Sequence, residues 1–251
     1  MKARYEEIGV DYALTRREDP ALAARIHGAL GAAKTVVNVG AGTGSYEPRD
    51  RYVIAVEPSD VMAAQRATDR VPAIRASAGE LPLRDGSVEA AMAIVTIHHW
   101  DAERERGVRE LRRVARGPVV ILTYDARVSE QMWLLRDYLV EVAELDRTIF
   151  PAPETIVGWL GGVATIEPVP LARDARDWML GSFWAHPERV LDPKARAATS
   201  GFARMKPSVV DRVVADVQRD LADGTWDRRY GSLRHQEEAD VGLRLIVARP
   251  D

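Results

Sequence analysis

The sequence has 251 residues, of which 46% are hydrophobic and 29% charged, with a net charge of −3. This is an ordinary globular composition, and it offers no basic excess that would favour a nucleic acid as partner. Cysteine is absent, which excludes disulfides, thiolate nucleophiles and cysteine-bound zinc. Because no run of about 20 apolar residues and no signal-peptide pattern occur, we expect a cytoplasmic protein without a membrane segment.

Short apolar runs alternate with amphipathic stretches from residue 20 onwards. The runs do not alternate polar with apolar positions, as is typical of strands covered on both faces in a parallel sheet. The predicted strands are Thr35–Val39, Tyr52–Val56, Ala90–Val95, Val119–Thr123, Val163–Val169 and Leu243–Ala248. Strand–helix alternation predicts a doubly wound α/β sheet with right-handed crossovers. The region from about 173 to 230 has helical periodicity and predicts a cap before the last strand.

Three glycines at alternate positions follow the first predicted strand. They are Gly40, Gly42 and Gly44. Doubly wound sheets bind ligands at the carboxyl ends of their strands, and glycine permits positive φ and a close approach to the backbone. The pattern predicts a ligand site, with a tight turn that binds nothing as the alternative.

An acidic residue ends the second predicted strand. Glu57 follows Gly40 by 17 residues, where a carboxylate can accept hydrogen bonds from a ribose diol. The alternative is an acid that caps a helix near Ser59. A nicotinamide dinucleotide and S-adenosylmethionine (SAM) both fit glycines plus an acid. The dinucleotide fingerprint G-x-G-x-x-G is broken here by Ser45 at the third glycine position, which favours SAM.

Four segments in order resemble the successive motifs of class I SAM-dependent methyltransferases, in the small-molecule branch that includes ubiquinone/menaquinone-type enzymes. They are Val36–Ser45, Ala55–Ser59, Ala78–Ala90 and Ile97–Trp100. The resemblance covers about residues 5–125. It implies a seven-stranded, mostly parallel Rossmann-like sheet with an antiparallel last strand and a helical cap insertion. We expect one domain over residues 1–251, with a core at about 20–170 and 240–251, a cap at about 173–232 and an N-terminal lid helix at about 3–17.

The resemblance also implies which residues bind SAM. Those expected under the methionine and ribose portions, or on the ribose hydroxyls, are Gly40, Ala41, Gly42, Gly44 and Glu57. Those expected around the adenine are Pro58, Ser59, Met62, Ser77, Ala78 and Gly79. Ser77 departs from the family pattern, since many relatives have an aspartate there.

Four further residues are expected near the methionine end. Val95 and Thr96 end the fourth strand, and Tyr12 and Arg16 match a tyrosine and an arginine that close over the cofactor in related enzymes. A surface amphipathic helix is the alternative for Tyr12 and Arg16.

Two adjacent histidines follow the fourth strand. His98 and His99 are candidate general bases near neutral pH, with a structural or cofactor-positioning role as the alternative. No H-E-x-x-H motif accompanies them, and we predict no metal site.

Aromatic residues supply the candidates for an acceptor pocket. They are Tyr5, Tyr124, Trp133, Phe183 and Trp184, because aromatic walls suit a flat or hydrocarbon acceptor. The alternative is that the cap aromatics form its core.

The sequence thus favours a methyltransferase that transfers the methyl group of SAM to oxygen, nitrogen or carbon of a small molecule, giving S-adenosylhomocysteine as product. The resemblance implies a natural-product or quinone-like acceptor and a role in biosynthesis. Three alternatives are a SAM-binding enzyme with non-methylating chemistry such as a cyclisation, a nicotinamide-dependent oxidoreductase, and a non-enzymatic SAM-binding or regulatory module. The oligomeric state is not predicted.

Overall fold

A seven-stranded sheet forms the centre of the computed structural model, which describes residues 16–250. Its strands are β1 (Thr35–Val39), β2 (Tyr52–Val56), β3 (Ala73–Ile74), β4 (Ala90–Ile94), β5 (Val119–Tyr124), β6 (Val163–Pro168) and β9 (Leu243–Arg249). Two further strands, β7 (Leu171–Ala172) and β8 (Glu238–Ala239), form a separate small sheet. The order of the seven-stranded sheet is β3-β2-β1-β4-β5-β9-β6. β9 runs in the opposite direction to the other six strands of this sheet and pairs antiparallel with both β5 and β6. This confirms the predicted fold class.

Helices cover the sheet and build a cap beside it. They are α1 (Pro20–Ala29), α2 (Asp60–Ala64), α3 (Arg104–Val114), α4 (Ala126–Ser129), α5 (Val140–Ile149), α6 (Pro153–Leu160), α7 (Pro193–Ala197), α8 (Ser200–Ala203), α9 (Pro207–Ala222) and α10 (Thr225–Tyr230). Side-chain caps fix several helix starts, since Asp19 accepts from the first amides of α1 and Ser59 from the Met62 amide of α2. A single π-helical turn, Leu134–Tyr138, precedes α5.

The central strands are apolar throughout because each face of the sheet has its own core. In β1, Val36 packs into one core cluster while Val37 packs into the other. In β5, Val120 and Val119 divide in the same way. Alternate side chains of a strand point to opposite faces, so burial on both faces produces the continuous apolar runs of the sequence.

The cap has a third core of its own. Large side chains from α5, α9, α10 and the segments between them pack together, among them Trp133, Phe183, Phe202 and Trp226. The short strands β7 and β8 pair antiparallel and close the base of the insertion. The cap aromatics are therefore mostly core residues, as the alternative interpretation predicts.

Three local features differ from the sequence predictions or extend them. β3, β7 and β8 each have two residues, too few for a periodicity to indicate a strand. Tyr5 and Tyr12 lie outside the described residues, as does most of the expected lid helix at 3–17. Of that helix the structure describes Arg16 and Arg17, and Arg16 forms an isolated β-bridge with Asp177 instead of a helical turn. Over residues 16–250, none of the helices has the length and apolar character needed to cross a membrane.

Candidate active site

The turn after β1 depends on bare backbone. Gly40 has a φ of 70° and Gly42 a φ of 51°, which L side chains rarely adopt. A Cβ on Gly40 would lie 2.1 Å from Thr96 Oγ1, so the ends of β1 and β4 approach each other through the glycine. This is the point at which the strand order reverses, where doubly wound sheets bind ligands.

Backbone amides hold both carboxylate oxygens of Glu57. The Gly42 amide donates to Oε2 at 2.8 Å, and the Ser59 amide donates to Oε1 at 2.9 Å. Glu57 is 7% exposed, and Ser59 caps α2 with its own hydroxyl. A carboxylate oxygen can accept more than one hydrogen bond, so a ligand hydroxyl can bind Glu57 without releasing the glycine turn.

A buried ion pair supports the turn from below. Glu47, 2% exposed, accepts from Arg66 Nη2 at 2.9 and 2.8 Å and from Asn38 Nδ2 at 3.0 Å. Arg66 also donates to the Gly42 carbonyl at 3.1 Å. Asn38, Glu47 and Arg66 were not predicted from the sequence. A lone asparagine inside the apolar run of β1 indicated that a buried polar partner would be needed there.

A first cavity, of about 140 Å³, opens above the glycine turn. Its wall contains most of the residues predicted to bind the cofactor: Arg16, Gly40, Ala41, Gly42, Glu57, Pro58, Ser59, Met62, Val95 and Thr96. It also contains residues that the sequence analysis did not assign to the cofactor: Asn38, Thr43, Ser45, Tyr46, Ile94, His99 and Trp100.

Four of the described residues that were predicted to bind the cofactor are not part of this wall. Gly44 has a φ of 92°, and a Cβ there would face Glu47 at 3.0 Å, so it shapes the turn without lining the cavity. Ser77, Ala78 and Gly79 lie in the loop after β3, outside the cavity wall. Ala78 is buried in the core below the sheet. Their contacts with an adenine remain predictions.

A polar cluster joins the N-terminal segment, the glycine turn and the cap. Asp177, 3% exposed, is ion-paired with Arg16 through both carboxylate oxygens. The buried Tyr46 hydroxyl donates to Asp177 Oδ2 at 2.8 Å and accepts from the Asp19 amide at 3.3 Å. Burial, followed by the Asp177 charge, raises the pKa of Tyr46, so it remains a neutral donor. Arg16 is thereby fixed at the cavity edge.

A second cavity, of about 60 Å³, adjoins the first. Arg16 and Val95 line both cavities. The wall of the second comes from the end of β5, the segment before α5, α5 itself and the cap. Val95 has a φ of 49°, an outlier for a β-branched residue. Such backbone strain tends to occur at functional sites, and here it lies at the junction of the two cavities.

The two histidines face different cavities. His99 lines the first and His98 the second. Their rings are 3.8 Å apart, and His98 stacks on Phe150 at 4.3 Å. Arg204 Nη2 lies 2.8 Å from His99 Nδ1. A guanidinium can only donate, so Nδ1 is the acceptor and the neutral His99 ring carries its proton on Nε2.

The residues predicted to contact the acceptor separate into three environments. Tyr124 lines the second cavity. Trp133 and Trp184 line a third cavity of about 300 Å³, which shares Met132 and Val241 with the second. Phe183 is fully buried in the cap core and lines none of these three cavities. Within residues 16–250, no cluster of three His, Cys, Asp or Glu side chains could hold a metal ion.

Comparisons with known proteins bear on this arrangement. Residues 37–121 match a family described as a methyltransferase domain. A solved structure from Anabaena variabilis, described as a candidate methyltransferase of an antibiotic biosynthesis pathway, is 30% identical. It has a TM-score of 0.87, with 93% of this chain and 98% of that chain covered. No curated protein matches the sequence. The chain belongs to the class I SAM-dependent methyltransferases.

More distant structures share the fold of this methyltransferase. A SAM-dependent methyltransferase from Thermotoga maritima, described as a candidate histamine N-methyltransferase, is 16% identical with a TM-score of 0.54. The similarity covers 98% of this chain and 98% of that chain. A phosphoethanolamine N-methyltransferase from Haemonchus contortus is 14% identical with a TM-score of 0.53, covering 97% of this chain and 57% of that one.

The cofactor of the methyltransferase is SAM, and the first cavity has the chemistry to hold it. Gly40 and Gly42 give the cavity wall bare backbone that a cofactor can approach closely, and the Glu57 carboxylate is the kind of acceptor that ribose hydroxyls require. Arg16, which lines the cavity while ion-paired with Asp177, is the residue predicted to meet the carboxylate of the amino-acid portion. Met62, 3% exposed, and Pro58 offer apolar surface for the adenine.

Proposed function

We propose that this methyltransferase transfers the methyl group of SAM to a small molecule that binds in the second cavity. The observation that carries the proposal is the junction of two cavities at Arg16 and Val95. One cavity has the groups that suit SAM, and the other is lined mainly by apolar and aromatic side chains with a few polar groups. Ligand pockets of enzymes usually have this composition.

The protein's task in this reaction is mainly alignment. SAM supplies an activated methyl group on a positively charged sulfur, and the acceptor atom must approach that carbon in line with the carbon–sulfur bond. Positioning of this kind can lower a barrier by roughly 7–11 kcal/mol. The ends of β1 and β4, which approach each other closely at Gly40 and Thr96, suit this requirement.

The similarity to one solved structure and the net charge bear on the class of acceptor. The similarity to a candidate methyltransferase of antibiotic biosynthesis favours a natural product over a quinone-like acceptor, for which only the sequence resemblance argues. The net charge of −3 supports a small molecule rather than a nucleic acid. A cytoplasmic location remains our expectation.

Calorimetric titration with SAM, S-adenosylhomocysteine and NAD tests the cofactor site. We expect micromolar binding of the first two compounds and none of NAD. Binding of NAD alone would show that the glycine turn and Glu57 hold a dinucleotide, and it would contradict the proposed SAM site. SAM binding without release of S-adenosylhomocysteine in the presence of an acceptor panel would favour the two SAM-binding alternatives, non-methylating chemistry or a regulatory module.

A further inference from the structure

The wall of the second cavity contains a carboxylate that no described residue neutralises by contact. Asp146 lies in the last part of α5, is half-buried and lines the cavity. Its side chain forms no hydrogen bond or ion pair with any residue from 16 to 250. Around it lie Leu135, Phe150 and Leu180. Burial among apolar side chains raises the pKa of Asp146 to about 7, and the charge of Arg204 opposes the shift.

A buried hydroxyl lies in the wall of the same cavity. Tyr124, at the end of β5, is 9% exposed, and within the described chain its hydroxyl makes no hydrogen bond of good geometry, although the Gly181 backbone is close enough to act on it. The backbone of Gly181 lies against it, since a Cβ there would be 2.6 Å from the hydroxyl oxygen. A buried polar group without a partner costs about 1–3 kcal/mol, so a ligand atom that pairs with it gains binding energy.

We propose that the second cavity binds the hydroxyl-bearing end of an uncharged acceptor, and that Asp146 is the general base that removes its proton. The inference rests on the proposed methyl transfer and narrows its acceptor to an alcohol, phenol or enol. The acceptor O–H bond breaks and its proton moves to the Asp146 carboxylate. The oxygen forms a bond to the methyl carbon of SAM, the carbon–sulfur bond breaks, and its electron pair stays on sulfur.

The charges around the cavity favour an uncharged acceptor. Arg16 lines the cavity, so an ammonium group there would meet a guanidinium, and the charge of Arg204 also acts on Asp146. An anionic acceptor would meet the Asp146 carboxylate and an apolar wall, where an uncompensated charge is costly. His98 and Tyr124 are the other titratable groups that face Asp146 across this cavity.

Asp146 suits the role of base better than His99. His99 faces the first cavity, and Arg204 donates to its Nδ1. The other nitrogen, Nε2, carries the proton of the neutral ring, so His99 presents a donor there. A carboxylate with a pKa near the working pH accepts a proton most effectively.

The test measures S-adenosylhomocysteine release with phenol, 2-naphthol and 4-nitrophenol, each against benzylamine and benzoate at equal concentration. We expect the wild-type enzyme to methylate a phenol in preference to the amine and the acid. With that phenol, Asp146→Asn should lower kcat at least 100-fold while the SAM Kd is unchanged. The exposed Glu144→Gln on the same helix is the matched control and should retain wild-type kcat.

Two further readouts separate a base from a structural role. In a pH–rate profile, wild-type kcat should rise as the pH passes through about 7. This rise should be absent in Asp146→Asn. The defect should shrink for 4-nitrophenol, which ionises readily and needs a base least. Asp146→Ala should show the same pattern, and it replaces the asparagine variant where that variant fails to bind SAM.

Several outcomes would overturn the inference. With SAM bound, failure to methylate any of the phenols, or a preference for benzylamine, contradicts the acceptor class. A higher KM with unchanged kcat in Asp146→Asn would show that the carboxylate only binds the acceptor. Absence of SAM binding in wild-type protein would instead overturn the proposed function itself, so calorimetry precedes the assays.

Discussion

The two cavities are built in different ways. The first is formed largely by backbone and by side chains from short consecutive segments at the ends of β1, β2 and β4, and amides hold its acidic residue in place. The second is formed by side chains from separate parts of the chain, and it contains the buried Tyr124 hydroxyl and the Asp146 carboxylate. A backbone-built site is rigid and suits one cofactor, whereas a side-chain-built site can change its ligand by substitution.

The largest effect should come from the backbone contact of the first cavity. In Gly40→Ala the new Cβ would lie 2.1 Å from Thr96 Oγ1 at a φ of 70°, which should cost roughly 3 kcal/mol. We expect thermal unfolding to show a Tm lower by about 10 °C. The control is Gly28→Ala, where no atom lies within 4 Å of the added Cβ and helix propensity should raise Tm slightly. Equal Tm changes in the two variants would show that the β1–β4 approach is not tight.

The next largest effect is expected at Glu57, whose carboxylate accepts a hydrogen bond from the glycine turn. Glu57→Ala should weaken SAM binding at least tenfold, because both ribose hydrogen bonds and the anchor of the Gly42 amide are lost. Calorimetry measures this, with the nearby Asp60→Asn as control, since Asp60 is exposed and outside the cavity wall. An unchanged Kd in Glu57→Ala would refute the assignment of Glu57 to the ribose.

The next prediction concerns the hydrogen bond between Tyr46 and Asp177, which links the first cavity to the cap. Tyr46→Phe removes the hydroxyl that donates to Asp177 at 2.8 Å, and a hydrogen bond to a charged group contributes about 1.5–3 kcal/mol. We expect a Tm lower by roughly 5 °C and a SAM Kd raised a few-fold, because Arg16 loses part of its support. The control is Tyr52→Phe, whose ring is 68% exposed. A Tyr46→Phe variant as stable as that control would show that the Tyr46–Asp177 hydrogen bond does not stabilise the contact between the first cavity and the cap.

The same difference explains what could be predicted from the sequence. The first cavity depends on glycines at alternate positions and on an acid at a strand end, which are local patterns, and most of its predicted residues line it. Asp146 and Tyr124 come from separate segments of the chain and line one cavity only in the folded protein, and only the strand-end position of Tyr124 gave a signal. The fold was predictable because burial on both faces makes strands such as β1 and β5 continuously apolar, while the two-residue strand β3 is too short to show any pattern.

The smallest effect is a pH-dependent one in the second cavity. Burial favours the neutral form of Asp146 in the folded protein, since its folded pKa is raised from about 4 to about 7. The folded state therefore binds more protons than the unfolded state between these values. Wild-type stability relative to Asp146→Asn should be fully present below pH 4 and lost as the pH rises through 7.

We expect the Tm of Asp146→Asn minus that of the wild type to increase by a few degrees between pH 4 and pH 8 and then to level off. This is less than the roughly 10 °C that a full shift of the pKa from about 4 to about 7 would give, because Asp146 is only half-buried and water screens part of its charge. The exposed Glu144→Gln controls for removing a charge from the same helix. A Tm difference that is independent of pH would show that the Asp146 carboxylate is well solvated. In that case water already compensates this charge, and the contrast between the amide-held carboxylate of the first cavity and the unpaired carboxylate of the second would not hold.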